Sequence, residues 1–588
     1  MKEIKRLFDI PYYQLAHYPQ EDSLCDKVNE QWVKTSTQEF VNRAMNVSRA
    51  LASIGIEPDD KVAMISNNRS EWSITDIGIL MAGAINVPIY PTISASAYEF
   101  IFNDAEVKVC FVSDEELLAK VNEIKDKVPS LTHIISFNRI EGIEHMSEFE
   151  ARATQVDEKV IEDRKAVIKE DDLATLIYTS GTTGTPKGVM LSHKNITANV
   201  SGSRERLPVD SESRALSFLP LCHIYERMVL YLFMYTGVSI YFAESMDTIG
   251  DNLREVKPQV FTAVPRLLEK VYDRIVAKGT ELTGIKRSLF FWALELGQRW
   301  RPYGENGPWY EFQLSIANKI IFSKWREALG GNVLAVASGS AALQPRLARV
   351  FNAAQVPVLE GYGLTETSPV AAVNCFDDKG LRIGTVGRAL SNVEIKIAED
   401  GEILIKGPNV MMGYYKRQDL TDEVLTKDGW LHTGDIGELE DGQYLKITDR
   451  KKEIFKTSGG KYIAPQLMEN KYKESRFIDQ IMVIGENQKH PAALVVPDFD
   501  FLKEWAKRKG INASTSEELS ANEAVKARIW EEVEELNQGF GNYERVKKIE
   551  LCSNSWTVET EEMTPSLKLK RKVILAKYSA LVDRIYGS

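Results

Sequence analysis

YTSGTTGTPKG, residues 178–188, follows directly on the apolar run LATLIYT and decides how the chain is read. It holds three glycines, five Ser or Thr hydroxyls and one lysine, Lys187. Small residues let backbone N–H groups approach an anion, hydroxyls donate further hydrogen bonds and the ammonium adds a point charge, so the ligand that suits it is a polyphosphate. It is not a Walker A loop, because Lys187 is followed by Gly188 and no GxxxxGK[ST] spacing can be laid over it. A phosphate loop delivered by a buried strand predicts an open α/β sheet with its site at the strand ends.

The flanking sequence agrees. Residues 40–112 alternate helix and strand patterns (FVNRAMNVSRALASIG, KVAMIS, WSITDIGILMAGAI, KVCFVS), and after residue 170 short apolar runs return, each followed by Gly, Pro or Ser: ALSFLPL, VSIYF, VFTAVP, NVLAVASG, VPVLEGYG. Past residue 374, VEIKIAED, GEILIKGP and QYLKITDR read as a small antiparallel unit. From Asp449 the chain turns Lys- and Glu-rich with mixed helices and strands. The expectation is a large α/β domain, 1–448, of parallel sheets with a small β-barrel-like subdomain, followed by a smaller, mobile α+β domain, 449–588.

Composition sets the outer bounds. A chain of 588 residues needs more than one core. Its 44% hydrophobic and 27% charged residues exclude wholesale disorder and a polytopic membrane protein. A net charge of −11 argues against nucleic acid as a partner, since counterion release needs a basic face. Five scattered cysteines without CxxC point to a reducing compartment and no zinc ribbon, so a metal would be held by oxygens. Asp9 and Pro11 interrupt any signal-peptide core. The uncharged stretches 77–98, broken by Gly78, Gly83, Pro88 and Pro91, and 228–243, short and containing Thr236, Gly237 and Ser239, read as buried helix, turn and strand rather than spanning segments. The location expected is cytoplasmic, with peripheral contact at the inner face of a membrane as the furthest extension.

GYGLTETSP, 361–369, places Tyr362, Thr365 and Glu366 on a Gly-flanked loop after a strand, an aromatic face, a hydroxyl and a carboxylate that suit an adenine ring and a magnesium ion. Together with YTSGTTGTPKG, LPLCHIYER (219–227), HTGDIGEL (432–439) and DRKKEIFKTSGGKYIAP (449–465), it resembles, in order and spacing, the signatures of the adenylate-forming (AMP-binding) superfamily. LPLCHIYER and the long segment before residue 330 resemble the long-chain fatty acyl-CoA synthetases. The resemblance implies ATP-dependent activation of a fatty acid to acyl-adenylate, then transfer to coenzyme A. A carrier-protein phosphopantetheine as acceptor, and a non-catalytic acyl- or nucleotide-binding relative, are the alternatives.

The resemblance also implies roles. Lys568, Lys187 and Glu366 would be catalytic. Thr179, Ser180, Gly181, Thr182, Thr183, Gly184 and Lys187 would cradle phosphates, and Gly361, Tyr362, Gly363 and Thr365 would flank the nucleotide. Asp435 would take the ribose diol, with Arg450 and Lys452 completing the contact. Thr179 and Glu366 would hold Mg²⁺, His223 would stand beside the acyl carboxylate, Tyr462 would gate the tunnel mouth and Asp449 would be the hinge. MTPSLKLKRK, 563–572, aligns Lys568 with the TPSGK lysine of the family, with Leu567 in place of the glycine and Lys570 competing two residues on along the same strand face. Residues 284–329 carry four of the ten tryptophans, read either as aromatics packed on the body or as a surface meeting a membrane or second subunit. Oligomeric state is not read from the sequence, and a homodimer is compatible with it.

Overall fold

A computed structural model describes residues 4–179, 186–564 and 567–587. Two large sheets make the body of the chain up to residue 448. One runs, by strand, Gly413–Tyr414, Lys187–Ser192, Leu173–Thr179, Ile85–Ile89, Lys61–Ile65, Val107–Val112, His133–Ser136 and Glu144–His145. The second has a parallel centre, Val358–Gly363, Ala335–Ser338, Val260–Ala263, Arg214–Ser217, Ser239–Phe242 and Leu24–Val28, with antiparallel strands at both edges. Helices between them are buried nearly all round: Ser70–Met81 exposes little of any face, as a helix sandwiched between sheets must. The uncharged stretches of the sequence become such helices and strands, and no helix among the described residues is long and apolar enough to cross a membrane.

The helices that frame the site have sequence-encoded ends. His193–Arg204 starts at a capping box in which Ser192 Oγ accepts from the Asn195 N–H while the Asn195 side chain reaches back to Ser192. Ile224–Thr236 starts at His223 and stops at Gly237, whose φ of +80° is the left-handed cap that glycine accepts.

The antiparallel unit is a four-stranded sheet, Glu394–Ile397, Glu402–Lys406, Leu431–Glu440 and Tyr444–Arg450. Its last strand exchanges hydrogen bonds with the segment before Arg388–Ala389 (Val386 N–H to Leu445 O and Leu445 N–H to Gly387 O, both 2.8 Å), which curls it towards a barrel. Asp449 lies on that strand, opposite Ile436. Beyond it, Ile478–Ile484, Ala492–Pro497 and Ile549–Leu551 form a separate three-stranded sheet with its own apolar core. All five cysteines are free and buried.

Candidate active site

A cavity of about 770 Å³ lies where the strand ends of the body meet the C-terminal sheet and its loops. Thr179, Lys187, His223, Gly361, Tyr362, Gly363, Thr365, Glu366, Asp435, Arg450, Lys452 and Lys568 all line it, although they span nearly 400 positions of sequence. Ser180, Gly181, Thr182, Thr183 and Gly184 lie outside the described residues. Their flanks are a β-hairpin, with Tyr178 opposite Gly188 and Thr179 opposite Lys187, so the loop joins two antiparallel strands instead of leading straight into a helix.

At the nucleotide end, Tyr362 donates its O–H to Asp435 Oδ2 (2.7 Å), and Arg450 Nε stands 3.5 Å from Asp435 Oδ1. Asp435 is thereby held in place, only 6% exposed. Glu366 Oε1 accepts from the Tyr414 hydroxyl (2.8 Å), and Lys187 Nζ sits 4.8 Å over the same Tyr414 ring. The strand Gly413–Tyr414 pairs with Lys187–Ser192, which is why Tyr414 reaches both.

LPLCHIYER divides its side chains between cavity and core. His223 Nδ1 accepts from the Tyr225 N–H (3.1 Å), which leaves the proton on Nε2; burial, and then the charge of Lys568, pulls the imidazole down to about 4, so it is neutral at neutral pH. Glu226 and Arg227 turn inward. Glu226 accepts from Ser217 Oγ (2.6 Å) and the Thr262 hydroxyl, and burial raises it to about 7. Arg227 is fully buried, paired with Asp76 and bonded to Thr175 Oγ1 (2.8 Å) and the Tyr231 hydroxyl (3.1 Å). These anchors fix the rotation of Ile224–Thr236, so that Tyr225, Met228, Val229 and Leu232 face the cavity and give it an apolar branch.

Lys568 enters from the C-terminal loop. Burial, reinforced by Arg450 and opposed by Asp435 and Glu366, lowers its ammonium to about 8. The loop is not a strand. Only Met563 and Leu569 form a bridge, Leu567 has φ +59°, and Lys570 leads into the helix Arg571–Lys577 without lining the cavity, so the two lysines do not share a face. Leucine in the left-handed region costs about 1 kcal/mol that glycine would not.

Tyr462 is a correction. It sits on the hairpin Phe455–Lys456 and Tyr462–Ile463, 63% exposed with Lys456 Nζ 4.5 Å over its ring, and it lines no part of the cavity. The hairpin's apolar partner Ile463 takes the core position, and period-two alternation turns Tyr462 outward. Residues that the sequence reading missed include Tyr414, Thr433, the loop 337–340 and the Met228–Leu232 face; only the last carried a signal, its helical spacing.

Two sheets feeding one cleft, a buried carboxylate held by a tyrosine and an arginine, a Gly- and Thr-rich hairpin and a lysine from the C-terminal segment are what an adenylate-forming type of enzyme has, and comparison with known proteins agrees. The chain belongs to the AMP-binding enzyme family, whose model matches residues 12–415, followed by an AMP-binding enzyme C-terminal domain over residues 452–588. It is 33% identical over 562 residues to the long-chain-fatty-acid–CoA ligase FadD15 of Mycobacterium bovis, covering 95% of this chain and 93% of the relative. It is 32% identical to long chain acyl-CoA synthetase 4 of Arabidopsis thaliana, covering 94% and 87%. Among solved structures, the adenylation domain of a carboxylate reductase from Mycobacterium chelonae matches with a TM-score of 0.79 at 24% identity over 99% of this chain and 91% of that one. A Mycobacterium tuberculosis fatty acyl CoA synthetase matches with a TM-score of 0.63 at 20% identity over 99% of each chain.

Proposed function

We infer that this chain is an AMP-forming long-chain fatty acid–CoA ligase: it activates a fatty acid with ATP to acyl-adenylate, releasing pyrophosphate, and then passes the acyl group to coenzyme A, releasing AMP. The observation that carries this is one continuous cavity with an apolar branch along Ile224–Thr236, a braced Asp435 at its other end and Lys568 between them. We propose the residue roles as follows.

Asp435 binds both ribose hydroxyls, with Tyr362 against the adenine. Lys187 and the 180–185 loop take the β- and γ-phosphates. His223, neutral, presents its Nε2 proton to the acyl carboxylate and sets its attack in line on the α-phosphorus, while Lys568 neutralises charge building there. No protein nucleophile is used. The residues present fit a divalent cation: Glu366, which among the described residues keeps one carboxylate oxygen without a hydrogen-bond donor, and the Thr179 hydroxyl would hold it through oxygen. When bound, Mg²⁺ supplies charge neutralisation on the phosphates.

The domain division at Asp449 is likewise a proposal, supported by the end of the antiparallel sheet at Arg450 and the separate core that follows. So is contact with a membrane surface. Trp325 is buried and Trp292 and Trp300 pack on the body, but Trp309 is 71% exposed and forms a stripe with Phe312, Ile316 and Ile320 at helical spacing. Residues 284–329 carry seven Lys and Arg against four Glu, a local basic excess in an acidic chain.

Incubation with ATP, a mixed fatty-acid panel and coenzyme A, read by mass spectrometry, tests the function. Acyl-CoA and AMP are expected. Acyl-AMP without thioester would point to a carrier-protein acceptor, and no product at all to a binding protein.

A further inference from the structure

The cavity that the apolar helix face lines is also lined by polar groups that the fold leaves unmatched. Ser203, in the last turn of His193–Arg204, is 5% exposed and its Oγ has no hydrogen-bond partner. Arg206, one turn on, sends Nη1 to Cys375 Sγ (3.2 Å) and Nη2 to the Ala389 carbonyl (3.0 Å), while its Nε–H is buried without an acceptor. Among the described residues no carboxylate pairs with that guanidinium. Ser203, Arg206 and Leu207, spaced i, i+3, i+4, line the same cavity as Leu232 and Val373. A methyl-terminated chain reaching this wall would leave a hydroxyl and a charged N–H desolvated and unpaired, an arrangement that folded proteins avoid.

We propose that Ser203 and Arg206 recognise a second carboxylate at the far end of the acyl chain, so that the cavity accepts long α,ω-dicarboxylic acids. The guanidinium supplies the counter-charge, and its Nε–H and the Ser203 hydroxyl supply two donors. The inference rests on the reading of this branch as the acyl site. His223 and the pair line one cavity at fixed positions, and the helix between His223 and Leu232 already rises about 14 Å at 1.5 Å per residue, so only diacids of one matching length would reach the pair while the other carboxylate stays at the α-phosphorus.

The test compares kcat/KM for saturated monocarboxylic acids and for the corresponding α,ω-diacids, across a medium- to long-chain series, in the wild type, Arg206→Met, Arg206→Lys and Ser203→Ala. The diacid-to-monoacid ratio is taken within each preparation, so that partial unfolding cancels. In the wild type the ratio should peak at one chain length. Arg206→Met should lower that peak about 10- to 100-fold, the effect of removing a hydrogen bond to a charged group, with Arg206→Lys and Ser203→Ala intermediate. A ratio that is flat with length in the wild type, or that is unchanged in Arg206→Met, overturns the proposal, and the wild-type series decides even if a variant does not fold. A peak for ω-hydroxy acids with none for diacids overturns it too. Turnover of neither class would overturn the ligase reading itself, which separates the two failures.

Discussion

Lys568 carries the sharpest expectation at the residue scale. Its lowered pKa makes the ammonium partly neutral above about pH 8, so fatty-acid-dependent pyrophosphate exchange, measured as kcat/KM, should show a basic limb near that pH in the free enzyme. A limb near the ordinary lysine range would contradict the desolvated placement. Lys568→Ala should abolish the exchange yet still convert supplied acyl-adenylate to thioester; if Lys570→Ala did this and Lys568→Ala did not, the assignment would move. Glu366 is the other test. Losing one preorganised charge costs about 3 to 4 kcal/mol, so Glu366→Ala should slow adenylation by roughly 100- to 1000-fold at limiting Mg²⁺. Near-normal rates would remove it from the site. Both residues were legible because each stands in a motif, whereas Tyr414, which contacts Glu366 and Lys187, stands in none and reaches them only through strand pairing.

The helix Ile224–Thr236 sets what the site accepts at the scale of elements. Each buried methylene adds about 0.8 kcal/mol, so long acids should be favoured over short ones, and palmitate far over acetate. Leu232→Trp, which fills the branch one turn short of Thr236, should lower kcat/KM for long acids while sparing medium ones; an unchanged chain-length profile would place the acyl chain elsewhere. The helix at Pro308–Ala317 makes a different claim. Replacing Trp309 and Phe312 by Asp should cut sedimentation with anionic vesicles several-fold without altering turnover of a soluble substrate, because both rings stack at 5.7 Å on the outer face, away from the cavity. Full retention of binding would return the stripe to ordinary surface.

At the scale of the whole molecule, the C-terminal domain stands with its lysine in the cavity, an arrangement that we propose serves the first half-reaction. Lys568 lies in the cavity, and past Glu453 the polar ties from the C-terminal domain to the body include Arg266 with Asp479 and a long contact from Gln344 Nε2 to the Lys473 carbonyl (3.5 Å), while at the boundary itself Lys451 pairs with Asp400 (2.6 Å) and Glu402 (2.9 Å). Coenzyme A needs that lysine withdrawn before a pantetheine arm can reach the carbonyl, so the domain should take a second orientation. Asp449 is suited to the pivot. Its carboxylate accepts from the Arg450 N–H (2.6 Å) and the Gln466 N–H (3.3 Å), tying the end of the antiparallel sheet to the helix start that follows, and burial lifts it to about 6. Asp449→Pro fixes φ at the pivot and should depress thioester formation while sparing pyrophosphate exchange. Equal loss of both half-reactions would refute a hinge there.

The sequence by itself determined the α/β class, the anion-suited loop after a buried strand and the order of the motifs, because these rest on local chemistry, small residues near an anion and apolar runs that must be buried, while the other polar residues of the cavity came from the resemblance of those motifs to a family. It also placed the Trp-rich segment as helical. Which of Lys568 and Lys570 enters the cavity depended on the turn at Leu567, and the exclusion of Tyr462 depended on which face of a two-residue hairpin met the core. The inward turn of Glu226 and Arg227, and the entry of Ser203 and Arg206 into the lining of the same cavity, were decided only by the tertiary structure, since each depends on packing between elements far apart in the chain that no local pattern encodes.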